Sequence, residues 1–242
     1  MLTTDRRVCA LLGLLAGILF SSAECRAEIP GLCNTGETHK EFAGCTGVLV
    51  TPNPPGGGSN TDANWGVEYL GSTEGISKSQ ACKHDLISAY VDTPESAWMP
   101  NSASTASEWI TPYDGEGLQA PGYYIYVTLF QVNDSPAPLG FTIKGQLASD
   151  NGTVDIYMET PAGSGNCELV AGQTFPVNPL GSGDSDFQQW WPFSFTNPGP
   201  IAVASPTALY FVVHNQYDID YSSGDSPTGL RVEFFSSSTF TY

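Results

Sequence analysis

The chain has 242 residues, with 25 acidic against 8 basic side chains and a formal net charge of −17. A field of that sign repels nucleic acid and anionic lipid, so neither is an expected partner, while divalent cations and solubility in salt are favoured. The 26 glycines and 18 prolines fall as punctuation between short β-rich runs, and amphipathic helical periodicity is almost absent, so the chain reads as all-β.

In chain order, Asp5, Arg6 and Arg7 precede an apolar run from Val8 to Phe20 and then small residues, the pattern of a secretory signal peptide over residues 1–27. The run is too short for a permanent span, and no later segment is apolar enough for one. Cleavage after Ala27 leaves an even set, Cys33, Cys45, Cys82 and Cys167, whereas cleavage after Ala23 strands Cys25. Glu24 stands where a lipoprotein signal needs a small residue. Loss of residues 1–27 removes Arg6, Arg7, Arg26, Asp5 and Glu24, leaving 5 basic and 23 acidic groups, net −18. Residues 28–242 suit one β domain, because sandwiches and barrels reach roughly 200–250 residues without dividing.

The tract ProAsnProProGlyGlyGlySerAsn at 52–60 reads as a flexible or polyproline-like loop, and the N-terminal half is looser than the rest. The clearest predicted strands run from Tyr123 to Val132, Phe141 to Leu147, Thr153 to Glu159, Phe193 to Thr196, Ala208 to His214 and Leu230 to Phe235. Turn signals at 134–138, 150–152 and 197–200 separate them, as antiparallel pairing in a two-sheet sandwich requires.

Sugars stack their C–H faces on flat rings while amides and carboxylates bind their hydroxyls. The candidates of that kind are Trp65 with Asp62 and Asn64, Trp98 with Asn101, Trp109 beside Glu108, and the pair Trp190 and Trp191. The competing reading of every indole is core packing, and it is preferred for Trp109, which precedes Ile110 in a strand-like tract. Trp190 and Trp191 point to opposite faces if extended, so one ring is expected to be open and is the leading sugar platform. Asn215, Asp218, Asp220 and Asp225 form a second constellation, hard oxygen ligands suited to Ca2+, although glycine at 224 and Gly229 at the twelfth position break the EF-hand pattern. Asp150 or Asp155 are further calcium candidates, and solvated acids are the competing reading. Arg231, the single arginine left after residue 27, is expected to pair with a carboxylate or cap carbonyls. No nucleophile elbow, zinc-protease helix, phosphate-cradling loop or CysXaaXaaCys site is found, and His39, His84 and His214 have no recognisable nucleophile partner.

Seven stretches recur in order: IleProGlyLeuCysAsnThrGly at 29–36, AspAlaAsnTrp at 62–65, SerGluTrpIleThrPro at 107–112, ProGlyTyrTyrIleTyr at 121–126, GlyGlnLeuAlaSerAspAsn at 145–151, PheValValHisAsn at 211–215 and ProThrGlyLeuArgValGlu at 227–233. In this order the chain resembles a family of bacterial secreted domains often found in proteins with a C-terminal sorting tail of PEP-CTERM type. The resemblance implies a jelly-roll β-sandwich like the galactose-binding domain and, by analogy of fold, glycan binding. The chain departs from the family at Cys33, where an aromatic is usual, in added segments around 37–47, 75–84, 160–172 and 217–226, and in stopping at Tyr242 without a sorting tail. Cys45, Cys82 and Cys167 fall in the additions. Four cysteines permit three pairings, and loop length favours Cys33 with Cys45 and Cys82 with Cys167.

The expected function is therefore a secreted, non-catalytic glycan-binding or surface-associated module, found in the periplasm, at the cell surface or outside the cell. A calcium-dependent structural protein that self-assembles through strand edges is the alternative. A secreted glycan hydrolase working through two carboxylates stands third.

Overall fold

The computed structural model describes residues 29, 31–36, 61–71, 76–82, 86–92, 98–101, 107–113, 118–131, 137–150, 154–170, 187–197, 199, 204–215, 226–235 and 237–241. The leader, the 52–60 loop, Cys45, His39, His84 and Asp218, Asp220 and Asp225 lie outside them. Strands β1 (Thr61–Tyr69), β2 (Ile87–Val91), β3 (Ile110–Thr111), β4 (Gly122–Gln131), β5 (Gly140–Ser149), β6 (Val154–Glu159), β7 (Cys167–Leu169), β8 (Trp191–Asn197), β9 (Pro206–Asn215), β10 (Leu230–Phe234) and β11 (Thr239–Thr241) are joined by one short helix, α1 (Lys78–Ala81). The six predicted strands are β4, β5, β6, β8, β9 and β10, each at its expected place with ends displaced by no more than two residues.

The described residues of the N-terminal half include a long strand that the sequence does not announce. β1 carries Asp62, Asn64 and Gly66, residues that disfavour strands, yet it lies between β2 and β4 and pairs with both. The register slips between Thr61 and Gly66 against β2, an irregularity that accommodates the polar residues. Tertiary pairing has overridden local propensity there.

All ladders are antiparallel and form one path, β11-β5-β10-β3-β2-β1-β4-β9-β6-β7, with β8 on the other edge of β5. The path curls so that the limb containing β5, β8 and β10 faces the limb containing β1, β4 and β9. Ring contacts across the gap define the two layers: Phe130 of β4 meets Phe141 of β5 edge-on at 5.4 Å, Phe193 of β8 meets Phe211 of β9 at 6.0 Å, and Trp65 of β1 stacks on Phe234 of β10 at 6.4 Å. The protein is thus a jelly-roll-like antiparallel β-sandwich. Inward residues of both limbs, among them Ile110, Tyr126, Ile143, Leu209 and Val232, make a single apolar core, and burying each large side chain stabilises the fold by about 1.5–3 kcal/mol.

A second apolar cluster lies on the outer face of β4, β6 and β9, where Ile125, Val127, Tyr157, Ala208, Tyr210 and Val212 are covered by Ala81 of α1 and by the Cys82–Cys167 disulfide. The helix is started by Ser77, whose hydroxyl accepts from Gln80 N while Gln80 Oε1 accepts from Ser77 N, a reciprocal cap that satisfies two orphan donors. The bridge joins positions 85 residues apart with Cα atoms 5.9 Å apart, as loop length suggested. Cys33 is also disulfide-bonded, and Cys45, the partner expected for it, lies outside the described residues.

β10 and β11 share one edge of β5, with Phe234 opposite Gly145 and Thr239 opposite Thr142. Ser238 splices the gap between them: its hydroxyl accepts from Lys144 N at 3.0 Å and donates to Lys144 O at 3.1 Å, as a strand backbone would. On the opposite edge of β5, β8 alternates exposed Pro192, Ser194 and Thr196 with buried Phe193 and Phe195.

Gly145 lies between β8 and β10, where a Cβ would fall 2.5 Å from both Glu233 O and Phe193 Cζ. Gly145→Ala is expected to lower the unfolding free energy by about 1–3 kcal/mol through overpacking, read as a lower midpoint in urea. Cys82→Ala is expected to cost about 2–5 kcal/mol under oxidising conditions and to make the stability indifferent to added reductant as far as this bridge is concerned.

Candidate functional site

Along β1 the inward residues are Trp65, Val67 and Tyr69, and the core ends between the second and third of them. Trp65 and Val67 are fully buried, whereas Tyr69 reaches the rim and is 38% exposed. One face of its ring stacks on Tyr124 at 4.8 Å, and its hydroxyl donates to Pro121 O at 2.9 Å. Both contacts fix the ring at the rim.

Ile87, opposite Val67 on β2, is also 38% exposed. After β3 the chain turns through Pro112 and Tyr113, with Thr111 Oγ1 donating to Tyr113 O at 2.8 Å. Pro112 restricts the backbone at this turn, and the Tyr113 ring stands 51% exposed. Val67, Glu68, Tyr69, Ile87, Pro112 and Tyr113 line one open cleft of about 230 Å³. That is below the roughly 300–1,000 Å³ of pockets that enclose a drug-sized ligand, and it suits a ligand that lays one unit of a longer chain across the surface. Two tyrosines supply ring and hydroxyl, and Glu68, half-exposed, borders the cleft from the strand between them.

The residues expected to bind sugar are mostly elsewhere and mostly covered. Trp65 is in the core between Phe211 and Phe234, its indole N–H donating to Cys33 O at 3.1 Å. Asp62 is buried and accepts from Gly36 N and Asn64 N, so it organises backbone; Asn64 is buried beside it, with its Oδ1 unpartnered. Trp98 packs on Trp109 at 4.5 Å and donates to Asp150 Oδ2 at 2.9 Å. Asn101 staples a loop, donating to Asp92 O and accepting from Trp109 N. These placements share one cause: an indole or short amide inside a sandwich gains more from burial and a backbone partner than from solvent.

Trp190 and Trp191 do enter different clusters, as their adjacency in an extended segment predicts. Neither is an open platform. Both are half-buried, Trp191 packs against the main core, and the Arg231 guanidinium lies 4.9 Å over the Trp190 ring. Arg231 itself is buried and caps the Pro100 carbonyl at 3.2 Å while donating through Nε to Ser107 Oγ at 2.9 Å, the carbonyl-capping role expected of it.

Asn215, expected as a calcium ligand, is an interior clasp, and the other three residues of that constellation lie outside the described residues. Asn215 is fully buried, its amide donates to Gln119 O, Ala120 O and Ser226 O, and its Oδ1 accepts from Ser226 Oγ at 2.6 Å. Among the described residues no three His, Cys, Asp or Glu side chains gather as a metal site requires, and no helix is long and apolar enough to cross a membrane. For Tyr69 the signal in the sequence is the alternation Trp65, Val67, Tyr69 running off the end of an inward face, while Glu68 and Tyr113 carry no such signal.

No protein-family profile matches the chain, and no curated protein does. Among solved structures, similarity extends to the enzymatically active domain of tailspike protein 4 of bacteriophage CBA120, at 11% identity and a TM-score of 0.38, over 74% of this chain and 19% of that one. The chain therefore spans about a fifth of that tailspike chain. It extends also to TmCBM61 in complex with β-1,4-galactotriose, at 11% identity and 0.36 over 71% and 86% of the two chains, and to a CBM4 structure, at 13% and 0.31 over 56% and 70%.

Asn215→Asp separates the clasp from a metal ligand. The substitution keeps an oxygen but removes the three amide donations, so thermal unfolding should show a loss of about 1–3 kcal/mol, equal in calcium and in chelator. A variant that calcium restores would return Asn215 to a metal-binding role.

Proposed function

We propose that the protein is an exported, non-catalytic glycan-binding module whose ligand lies in the cleft between Tyr69 and Tyr113. The observation that carries the reading is the pair of exposed tyrosine rings beside Glu68 in one small open cleft. A pyranose presents an apolar C–H face to such a ring and hydroxyls to polar groups around it. Tyr69 is held in place by Tyr124 and Pro121 before any ligand arrives, so little ordering entropy is lost on binding.

Export is supported by the leader-like N-terminus and by the Cys82–Cys167 disulfide, a bond that persists in oxidising compartments.

A glycan array with the purified protein tests the reading, and specific binding is expected. Tyr113→Ala should then weaken binding by about 1–2 kcal/mol, five- to thirty-fold in Kd, with an unchanged melting temperature, and Tyr69→Ala should weaken it at least as much. A blank array, or full binding by both variants, overturns the assignment to this cleft. Release of reducing sugar from a bound polysaccharide would make the protein a hydrolase.

A further inference from the structure

The outer face of the sheet carries a second group of side chains, on the face opposite to that of the inward Tyr69 ring. Tyr123 of β4, His214 of β9 and Asp155 and Tyr157 of β6 project from three adjacent strands at the open end of the outer apolar cluster. The registers place Tyr123 opposite His214, Asp155 opposite Val212 and Tyr157 opposite Tyr210. Asp155 is therefore diagonal to His214 and two residues from Tyr157 on the same face. The Tyr123 and His214 rings stack at 4.4 Å with 13° between their planes. Tyr123, His214 and Asp155 are half-buried, and Tyr157 is 8% exposed.

Asp155 is unlike the other acid of its strand face. Glu159, four residues on, accepts from Gly163 N, Gly165 N and the Tyr210 hydroxyl. Asp155 has neither a hydrogen bond nor an ion pair among the described residues. Burial raises its pKa above the usual carboxylate value, and its charge adds to burial in raising the phenols of Tyr123 and Tyr157. His214 does not supply the missing positive charge, because burial lowers its pKa and leaves it neutral at neutral pH. A half-buried carboxylate is less well solvated than an exposed one, and a cation from outside would offset that loss.

We propose that this group is a second binding site, for a compact organic ammonium such as the protonated amine of an amino sugar, with Asp155 as counter-charge and Tyr123 and Tyr157 as its aromatic flanks. Aromatic faces attract ammonium groups and the carboxylate neutralises them. A net charge of −17 raises the local concentration of such cations. The site stands independently of the Tyr69–Tyr113 cleft.

The test is an NMR titration of the protein with glucosamine, N-acetylglucosamine and glucose, three molecules that share a ring and differ in the amine. Glucosamine should perturb amides around residues 123, 155, 157 and 214 and bind at least about tenfold more tightly than the other two, a difference of about 1.4 kcal/mol. The preference should fall as salt rises, disappear in Asp155→Asn and persist in Tyr113→Ala. Equal binding of the three sugars, perturbations confined to the Tyr69–Tyr113 cleft, or an Asp155→Asn variant that keeps the preference overturns the proposal.

Stability supplies a second readout. An acid whose pKa is raised by folding destabilises only when ionised, so stability is lost as pH rises through the folded-state pKa. Asp155→Asn should melt at a higher temperature than the native protein at pH 7, with the gap closing below pH of about 3.9. A lower melting temperature at pH 7 would mean that Asp155 holds the fold together, and would overturn the proposal.

Discussion

Phe211 is the contact on which the two limbs of the sandwich depend. It touches Trp65, Phe193 and Phe234, rings contributed by β1, β8 and β10, with centroids between 5.4 and 6.3 Å away. A curled sheet has no reason to stay curled unless the inner faces gain more by meeting than each would by flattening, and four interlocked rings provide that gain at the centre. The rim position of Tyr69 follows directly. The inward row of β1 enters the aromatic core at Trp65 and leaves it at Tyr69, so the last ring of the row is anchored at one face and open at the other.

Buried polarity is used here mainly to hold backbone. Asp62, Glu159 and Asn215 each gather hydrogen bonds from or to the main chain of a loop, and Arg231 closes another through Pro100 O. Each buried polar atom so engaged avoids the desolvation cost of being left alone. The same rule gives meaning to the exceptions: where a charge stands half-buried without such a partner, the fold offers no structural account of it.

Six of the eleven strands among the described residues were legible because their apolar residues run continuously or alternate between clear turn signals. β7 and β11 are three residues each and β3 two, too short to show a period. β1 was hidden for a different reason: Asp62, Asn64 and Gly66 oppose strand formation locally, and only the flanking ladders of β2 and β4 make it a strand. The site was less legible than the fold. Indole composition marked Trp65 and Trp98, but whether a ring faces core or solvent depends on where its strand ends relative to the opposing layer. Arg231 and the Cys82–Cys167 bridge were readable, since a lone arginine in a strand and paired cysteines in separate loops have few ways to be satisfied.

The edge strand β8 has a consequence for how the molecule behaves in a crowd. A bare strand edge is a template for another chain, and a protein gathered at high density on a polymer or a surface meets copies of itself constantly. Pro192 carries no N–H to offer a neighbouring strand, and its exposed row continues with Ser194 and Thr196. At this edge another copy of the chain therefore meets an interrupted template, a property that belongs to the strand and owes nothing to any ligand.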